Sequence, residues 1–189
     1  MRSINQRLKE LTDKLSDENI FKSVGLGNEI NFYVFDYDPE DEYVIRDYLY
    51  NYLITKNENI LIFDIYDIII DYLKERNLIE KCISFENKKD IKYLNNIISK
   101  SIGIGTNNDV IVNKIKESLS PNKIIVLTGI SKCYGILRGH TILNNLHSVV
   151  TSNPLIMFYP GSYNGQSFRL FNLFDNDNYY RAFNIVDRK

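Results

Sequence analysis

Continuous apolar runs separated by helix-period stretches predict an α/β fold: a mainly parallel sheet flanked by helices on both faces, without a phosphate-binding loop. Three runs carry this reading: Ile60-Leu61-Ile62-Phe63, Ile124-Ile125-Val126-Leu127-Thr128 and Pro154-Leu155-Ile156-Met157-Phe158-Tyr159. Runs without polar alternation suit strands covered on both sides, and their alternation with helical stretches argues for a mainly parallel sheet with helices on both faces. The chain has 189 residues, 44% of them hydrophobic and 25% charged. That length and balance fit a single α/β domain over 1–189 with one apolar core.

The elements follow in order. Ile4, Leu8, Leu11 and Leu15 recur at helical spacing, which predicts an amphipathic helix over 3–16. Gly25-Leu26-Gly27-Asn28-Glu29 breaks the pattern, and Ile30-Asn31-Phe32-Tyr33-Val34-Phe35 reads as a strand ending at Asp36. Pro39 with Glu40, Asp41 and Glu42 marks a helix start, because proline fits the first turn and acids favour the positive end of the dipole. Val44, Ile45, Tyr48, Leu49, Tyr52 and Leu53 then mark a buried helical face. Helix also follows the Ile60 run through Tyr66, Ile69, Ile70 and Leu73. Residues 77–119 hold two further stripes, Ile91/Leu94/Ile97/Ile98 and Val110/Ile111/Ile115/Leu119, parted at Ser101-Ile102-Gly103-Ile104-Gly105. After Gly129 a helix is expected through Leu137, Ile142, Leu143 and Leu146. A C-terminal edge strand with an aromatic segment is expected over 167–186, and residues 179–186 suit strand or helix.

Charge narrows the function classes. The net charge is −1 with both signs interleaved, whereas proteins that live by gripping nucleic acid carry a basic surplus. Lys114, Lys116, Lys123 and Lys132 remain as scattered cations, so a nucleic-acid-binding module is kept as one alternative, with only weak or indirect contact expected. Two cysteines, Cys82 and Cys133, and no apolar run of bilayer length point to a cytoplasmic protein with no membrane contact.

Catalytic motifs are incomplete. There is no G-x-x-x-x-G-K-[ST] loop, and the pairs Gly25/Gly27 and Gly103/Gly105 lack the third glycine of a dinucleotide fingerprint. Gly129-Ile130-Ser131-Lys132-Cys133 has the serine of a nucleophile elbow but not its second glycine, and no acid lies between Ser131 and His140. Ser131 and Thr128 therefore read as turn and capping residues. Cys133, His140 and His147 lack the short paired spacing of a structural zinc site. No cofactor or metal is expected. Asp36 and Asp38, with Asp64 from the end of the next strand, are the one plausible magnesium set. They leave a metal-dependent phosphohydrolase or nuclease as a second alternative. The competing reading of these acids is helix capping and dipole stabilisation.

Recognition chemistry is better represented. Arg138-Gly139-His140-Thr141-Ile142-Leu143-Asn144-Asn145 places Ile142 and Leu143 on an apolar helix face and Arg138, Thr141 and Asn145 on another. Such a group either buttresses a loop or grips a partner. Tyr159-Pro160-Gly161-Ser162-Tyr163-Asn164-Gly165-Gln166 offers amides and hydroxyls but no good general base. The tail carries Phe168, Phe171, Phe174, Tyr179, Tyr180 and Phe183, more aromatic surface than a core edge needs. The partner-binding set expected from these segments is Arg138, His140, Asn144, Asn145, Tyr163, Asn164, Gln166, Arg169, Tyr179, Tyr180 and Arg181, with no catalytic residue among them.

Three segments together resemble a known family. They are Gly25-Leu26-Gly27-Asn28-Glu29 leading into Phe32-Tyr33-Val34-Phe35-Asp36-Tyr37; Leu127-Thr128-Gly129 followed by Leu137-Arg138-Gly139-His140-Thr141-Ile142-Leu143-Asn144-Asn145-Leu146; and Phe158-Tyr159-Pro160-Gly161-Ser162-Tyr163-Asn164-Gly165-Gln166-Ser167-Phe168, with Asn178-Tyr179-Tyr180-Arg181-Ala182-Phe183 near the end. Nearly the whole chain in this order resembles the BrxB family, the small component of BREX bacteriophage-defence systems. Tyr134-Gly135-Ile136 departs from the aromatic-Pro-Phe-like approach to the arginine. The resemblance implies a non-enzymatic adaptor or scaffold in a multiprotein assembly. Its expected partners are the PglZ-type alkaline-phosphatase-like protein, a methyltransferase and a large ATPase. It brings no catalytic residues.

Overall fold

The computed structural model describes residues 2–17, 20, 31–175 and 182–188. Helix α1 (Ile4–Ser16) starts at a capping box, where Ser3 Oγ accepts from the Gln6 amide and the Gln6 side chain accepts from the Ser3 amide. Strand β1 (Phe32–Tyr37) follows. A 3-10 turn (Pro39–Asp41) opens α2 (Glu42–Asp47), which runs on through a π-helical stretch (Tyr48–Leu53) into α3 (Ile54–Lys56). Strand β2 (Ile60–Asp64), α4 (Ile65–Glu75), α5 (Ile79–Glu86), α6 (Ile91–Ser101), α7 (Val110–Ser118) and β3 (Ile124–Thr128) come next. A 3-10 turn (Ile130–Cys133), α8 (Gly139–Leu146), β4 (Leu155–Tyr163), β5 (Phe168–Leu170), β6 (Phe174–Asp175) and β7 (Phe183–Asn184) complete the order.

The sheet runs β2-β3-β4-β1-β7, every neighbouring pair along it parallel, so the α/β expectation is met. Strand alternation divides the core. Phe32, Val34, Ile125, Leu127, Leu155 and Met157 pack with α4, α6, α7 and α8 on one face. Phe35, Tyr37, Ile124, Val126, Ile156 and Phe158 pack with α1 and the α2–π helix on the other. Both faces of each central strand are thus dry, which is why those strands read as unbroken apolar runs.

Three expectations change in detail. The tail strand expected at the edge is instead a short antiparallel hairpin: β5 pairs with the end of β4, β6 with β5, and the parallel edge beside β1 is taken by β7. The helix expected directly after Gly129 is a 3-10 turn plus a separate α8, because Gly135 with φ +92° interrupts it. On the second helix Ile45, Tyr48, Leu49 and Leu53 are buried, whereas Val44 and Tyr52 are exposed. The wider π turn shifts later side chains around the axis relative to a 3.6 period.

Two glycines are fixed by close approach. Gly161 turns β4 from its parallel partner β1 to its antiparallel partner β5, and a Cβ there would sit 2.1 Å from the Arg169 carbonyl oxygen. Gly129 has φ +76°, and its Cβ would lie 2.1 Å from Asp64 Oδ1. That carboxylate caps α4 by accepting from the Tyr66 and Asp67 amides at 3.0 and 3.2 Å, and takes Lys132 Nζ at 2.6 Å on its other oxygen. Gly129→Ala would displace the cap and impose the left-handed conformation on alanine. The expected loss is about 2 kcal/mol of stability, read as a lower urea midpoint at unchanged slope. A midpoint equal to wild type would refute this account of the glycine.

Candidate functional site

The carboxyl end of the sheet between β1 and β4 is where an open α/β sheet usually admits a ligand. Here arginines fill it. Asp36, with its side chain 4% exposed, accepts on Oδ1 from Arg7 Nη2 at 3.1 Å and on Oδ2 from Arg188 Nε at 2.9 Å and the Tyr163 amide at 3.0 Å. Arg7 also donates to the carbonyls of Asp36 and Val186, at 2.7 and 3.2 Å, and lies over the Phe35 ring. Arg188 reaches Asp38 Oδ1 at 2.9 Å and the Gly161 carbonyl, and Asn172 Nδ2 donates to the same Asp38 oxygen at 3.0 Å. Burial opposes the charge on Arg188, but Asp36 and Asp38 outweigh it and raise its pKa. Burial dominates at Arg7, lowering its pKa despite Asp36, and Arg188 nearby adds to that.

This arrangement tells against the magnesium alternative. Asp36 and Asp38 are engaged by cations of the same chain, and Asp64 caps α4. Strands β1 and β2 are also separated by β3 and β4, a lateral distance of about 14 Å at ordinary strand spacing. Among the described residues, no group of three or more His, Cys, Asp or Glu is placed to hold a metal ion. Lys132 and Lys123 are likewise committed, the first to Asp64 and the second to the Glu58 carbonyl and Asn59. The Cys133 thiol is buried, which pushes its pKa up to about 12 and removes thiolate chemistry near neutrality.

The expected partner-binding residues divide. Tyr163 is a correction: its ring stacks on Phe168 with centroids 4.4 Å apart, and its hydroxyl donates to the Ala182 carbonyl and accepts from the Ala182 amide. It pins the C-terminal segment inside the fold. Asn164 closes the β4–β5 turn, its Oδ1 accepting from the Gln166 and Ser167 amides, which leaves the Gln166 side chain on the exposed turn. Arg169 is exposed and pairs across the hairpin with Asp175 at 3.1 Å. Asn145 buttresses: its Nδ2 donates to Asp109 Oδ2 at 3.0 Å, the oxygen that also takes the Gly105 amide, while Asp109 Oδ1 caps α7. Asn144 is exposed beside it and lines a polar cleft of about 530 Å³ with Asn107, Asn113, Lys116 and Ser148. Tyr179, Tyr180 and Arg181 lie outside the described residues.

Arg138 and His140 stand at the other end of α8, about 10 Å along the axis from Asn145 at 1.5 Å per residue. Arg138 is exposed in the N-cap position, its guanidinium 6.0 Å from the Tyr134 ring. Tyr134 stacks on Phe174 with centroids 5.0 Å apart. Beneath them Tyr159, Leu137 and Leu170 floor a slot of about 20 Å³, room for about one water. Burial raises the Tyr159 hydroxyl pKa although Arg138 draws it down. His140 is half-buried near Arg138, and burial followed by that positive charge lowers its pKa. Tyr134 and Phe174 are 44% and 43% exposed, and neighbouring Leu173 is 70% exposed. The result is an apolar patch with an arginine on its rim.

Sequence reasoning missed both arginines of the buried cluster. Arg7 had a signal, since it falls within the Ile4/Leu8/Leu11 stripe of α1 where a charge needs a buried partner. Arg188, two residues past an apolar pair at the chain's end, had none. Asp36→Asn should cost about 3–5 kcal/mol, the usual penalty for breaking a buried pair, measured by urea unfolding at neutral pH. Burial pushes the Asp38 pKa up, but the Arg188 bond and charge, the Asn172 bond and the Arg7 charge together outweigh it and hold the carboxyl below its ordinary 3.8. Its contribution is therefore complete above that value and is lost as pH falls through the depressed one. Asp38→Asn should flatten the decline of stability below pH 3.8, and an unchanged acid limb would contradict the pairing.

Residues 61–185 match the model of the family described as BREX protein BrxB. The "BREX protein BrxB" of Bacillus cereus (strain H3081.97) is 42% identical over 192 residues, covering all of both chains. That of Escherichia coli O9:H4 (strain HS) is 31% identical over 186 residues, covering 97% of this chain and 92% of its own. No solved structure matches significantly. With family match and full-length relatives in agreement, the chain belongs to the BrxB family of BREX phage-defence proteins.

Proposed function

We propose that the chain is a non-catalytic adaptor of its BREX assembly and docks the PglZ-type protein on the patch formed by Arg138, Tyr134, Leu173 and Phe174. The observation that carries this reading is the exposed Tyr134–Phe174 stack beside Arg138. A few residues carry most of the binding energy in protein interfaces, and aromatic residues and arginine are enriched among them. The slot beneath is too small for a substrate, yet an anchor side chain could press on its aromatic roof. His140 and Arg169 flank this surface, whereas Asn144 and its cleft face the α6–α7 side and suit another component, the methyltransferase or the large ATPase.

The family supports a BREX role; the adaptor task rests on the patch. Co-purification with the PglZ-type protein tests it. Arg138→Ala and Phe174→Ala should each weaken the complex by about 30-fold, the effect of a hot-spot residue, with circular dichroism unchanged. Asp71→Ala, on the far side of α4, should leave it intact. A complex indifferent to both patch substitutions would show that this surface is not the dock.

A further inference from the structure

The two edges of the sheet are built differently. At one edge β7 has only two residues, Phe183 and Asn184, and a short edge strand offers little template for pairing. The other edge is β2, Ile60–Asp64, whose sole strand partner among the described residues is β3. It spans five residues. Its first four, Ile-Leu-Ile-Phe, contain no lysine, proline or charged residue, so the side-chain guards common on edge strands are missing from them. Leu61, Ile62 and Phe63 are only half-buried, although their counterparts in β3 are fully covered.

The backbone fixes what this edge presents. The Ile124 amide donates to the Asn59 carbonyl at 2.8 Å, and Ile60 lies opposite Ile124. In a parallel ladder alternate residues face the neighbouring strand. Asn59 therefore turns its carbonyl, and Leu61 and Phe63 their amides and carbonyls, to β3, while Ile60, Ile62 and Asp64 turn theirs outward; the Asn59 amide goes to Asn57 Oδ1 at 2.9 Å. The Ile60 amide is already used by the Asn57 carbonyl. What remains without a partner among the described residues is the Ile60 carbonyl, both groups of Ile62, and the Asp64 amide.

We propose that this edge pairs with β2 of a second copy, antiparallel about a two-fold axis through Ile62, joining two sheets into one. Ile62 then exchanges both hydrogen bonds with Ile62 of the second copy, and each Ile60 carbonyl receives an Asp64 amide. Every outward group is satisfied and no register gap remains. Side chains agree: Leu61 faces Phe63, Ile62 faces Ile62, and no like charges are opposed within the strand. A lone peptide strand would pair the backbone but leave the flanking surface bare. The helix over β2 carries Tyr50 and Ile54, four residues apart on one stripe and 39% and 46% exposed. Tyr50 lies within electrostatic reach of Asp64 and Asp67, and α3 packs on β2, so the stripe sits beside the open edge. A second helix-flanked edge of the same kind covers both the strand and that stripe, and a closed two-fold contact is the commonest form of self-association.

Sedimentation of the purified full chain across the micromolar range should give twice the 22.2 kDa chain mass. Leu61→Lys, and Ile62→Pro, which removes an outward amide, should return it to the single-chain mass. If either substitution unfolds the chain, Ile62→Cys decides. Two Cα atoms directly opposite in a hydrogen-bonded pair lie about 5.5 Å apart, within disulfide reach. Mild oxidation should then give a reducible dimer that neither wild type nor Glu58→Cys forms. A wild-type chain sedimenting at the single-chain mass throughout would overturn the proposal. So would a dimer that survives Leu61→Lys and shows no Ile62→Cys cross-link.

Discussion

The Asp36 carboxylate is the point on which the structure closes. It takes Arg7 from the first helix, Arg188 from the last described residues and the Tyr163 amide from the bend where β4 changes partners. Segments 29, 127 and 152 residues away in sequence thus meet on one buried charge. Removing carboxylates and guanidinium groups from water costs several kcal/mol each, recovered only where nearly every donor and acceptor is met. Here Asp36 and Asp38 balance Arg7 and Arg188 in formal charge. Backbone carbonyls of Asp36, Val186 and Gly161 take up further guanidinium protons, while among the described residues Arg7 Nε is left buried without a hydrogen-bond partner. Specific closure of the chain ends, more than net stability, is what such a cluster supplies.

Its location matters for function. Connections from β1 and β4 leave in opposite directions, one across a face to β2 and the other past β1 to β7. Doubly wound sheets open a crevice at such a divergence. In this chain Arg188 occupies that space, and the polar residues that looked available for chemistry face their own chain: Asp64 a helix end, Asn145 a buried aspartate, Tyr163 a backbone segment. What remains outward is apolar or arginine-bearing surface around Tyr134 and Phe174, an asparagine-lined cleft, and the rim of β2.

These features share a logic. A helix-covered parallel sheet solves the burial of its strands but leaves two edges and the loops at its carboxyl end to be settled separately. Here one edge is shortened, the carboxyl end is closed by ions, and the aromatic hairpin folds over the start of α8. Apolar surface left at a protein's periphery in this way usually marks an interaction site.

The sequence by itself determined the class and order of the elements. Apolar runs at 60–63, 124–128 and 154–159 suit strands buried on both faces, and the helical stripes between them supply the two covering layers of a parallel sheet. Motif order likewise sufficed to place the chain with the BrxB proteins. The tertiary structure alone decided which polar residues are spent internally. Period and spacing report which face of an element is buried, but not which distant charge will meet it there. Asp36 therefore reads equally well as a metal ligand or an arginine partner until Arg188 arrives from the far end of the chain. Tyr163 reads as a recognition residue until Ala182 claims its hydroxyl. The same limit hides the Tyr134–Phe174 stack, whose rings are forty residues apart in sequence and meet where the β5–β6 hairpin at the end of β4 carries Phe174.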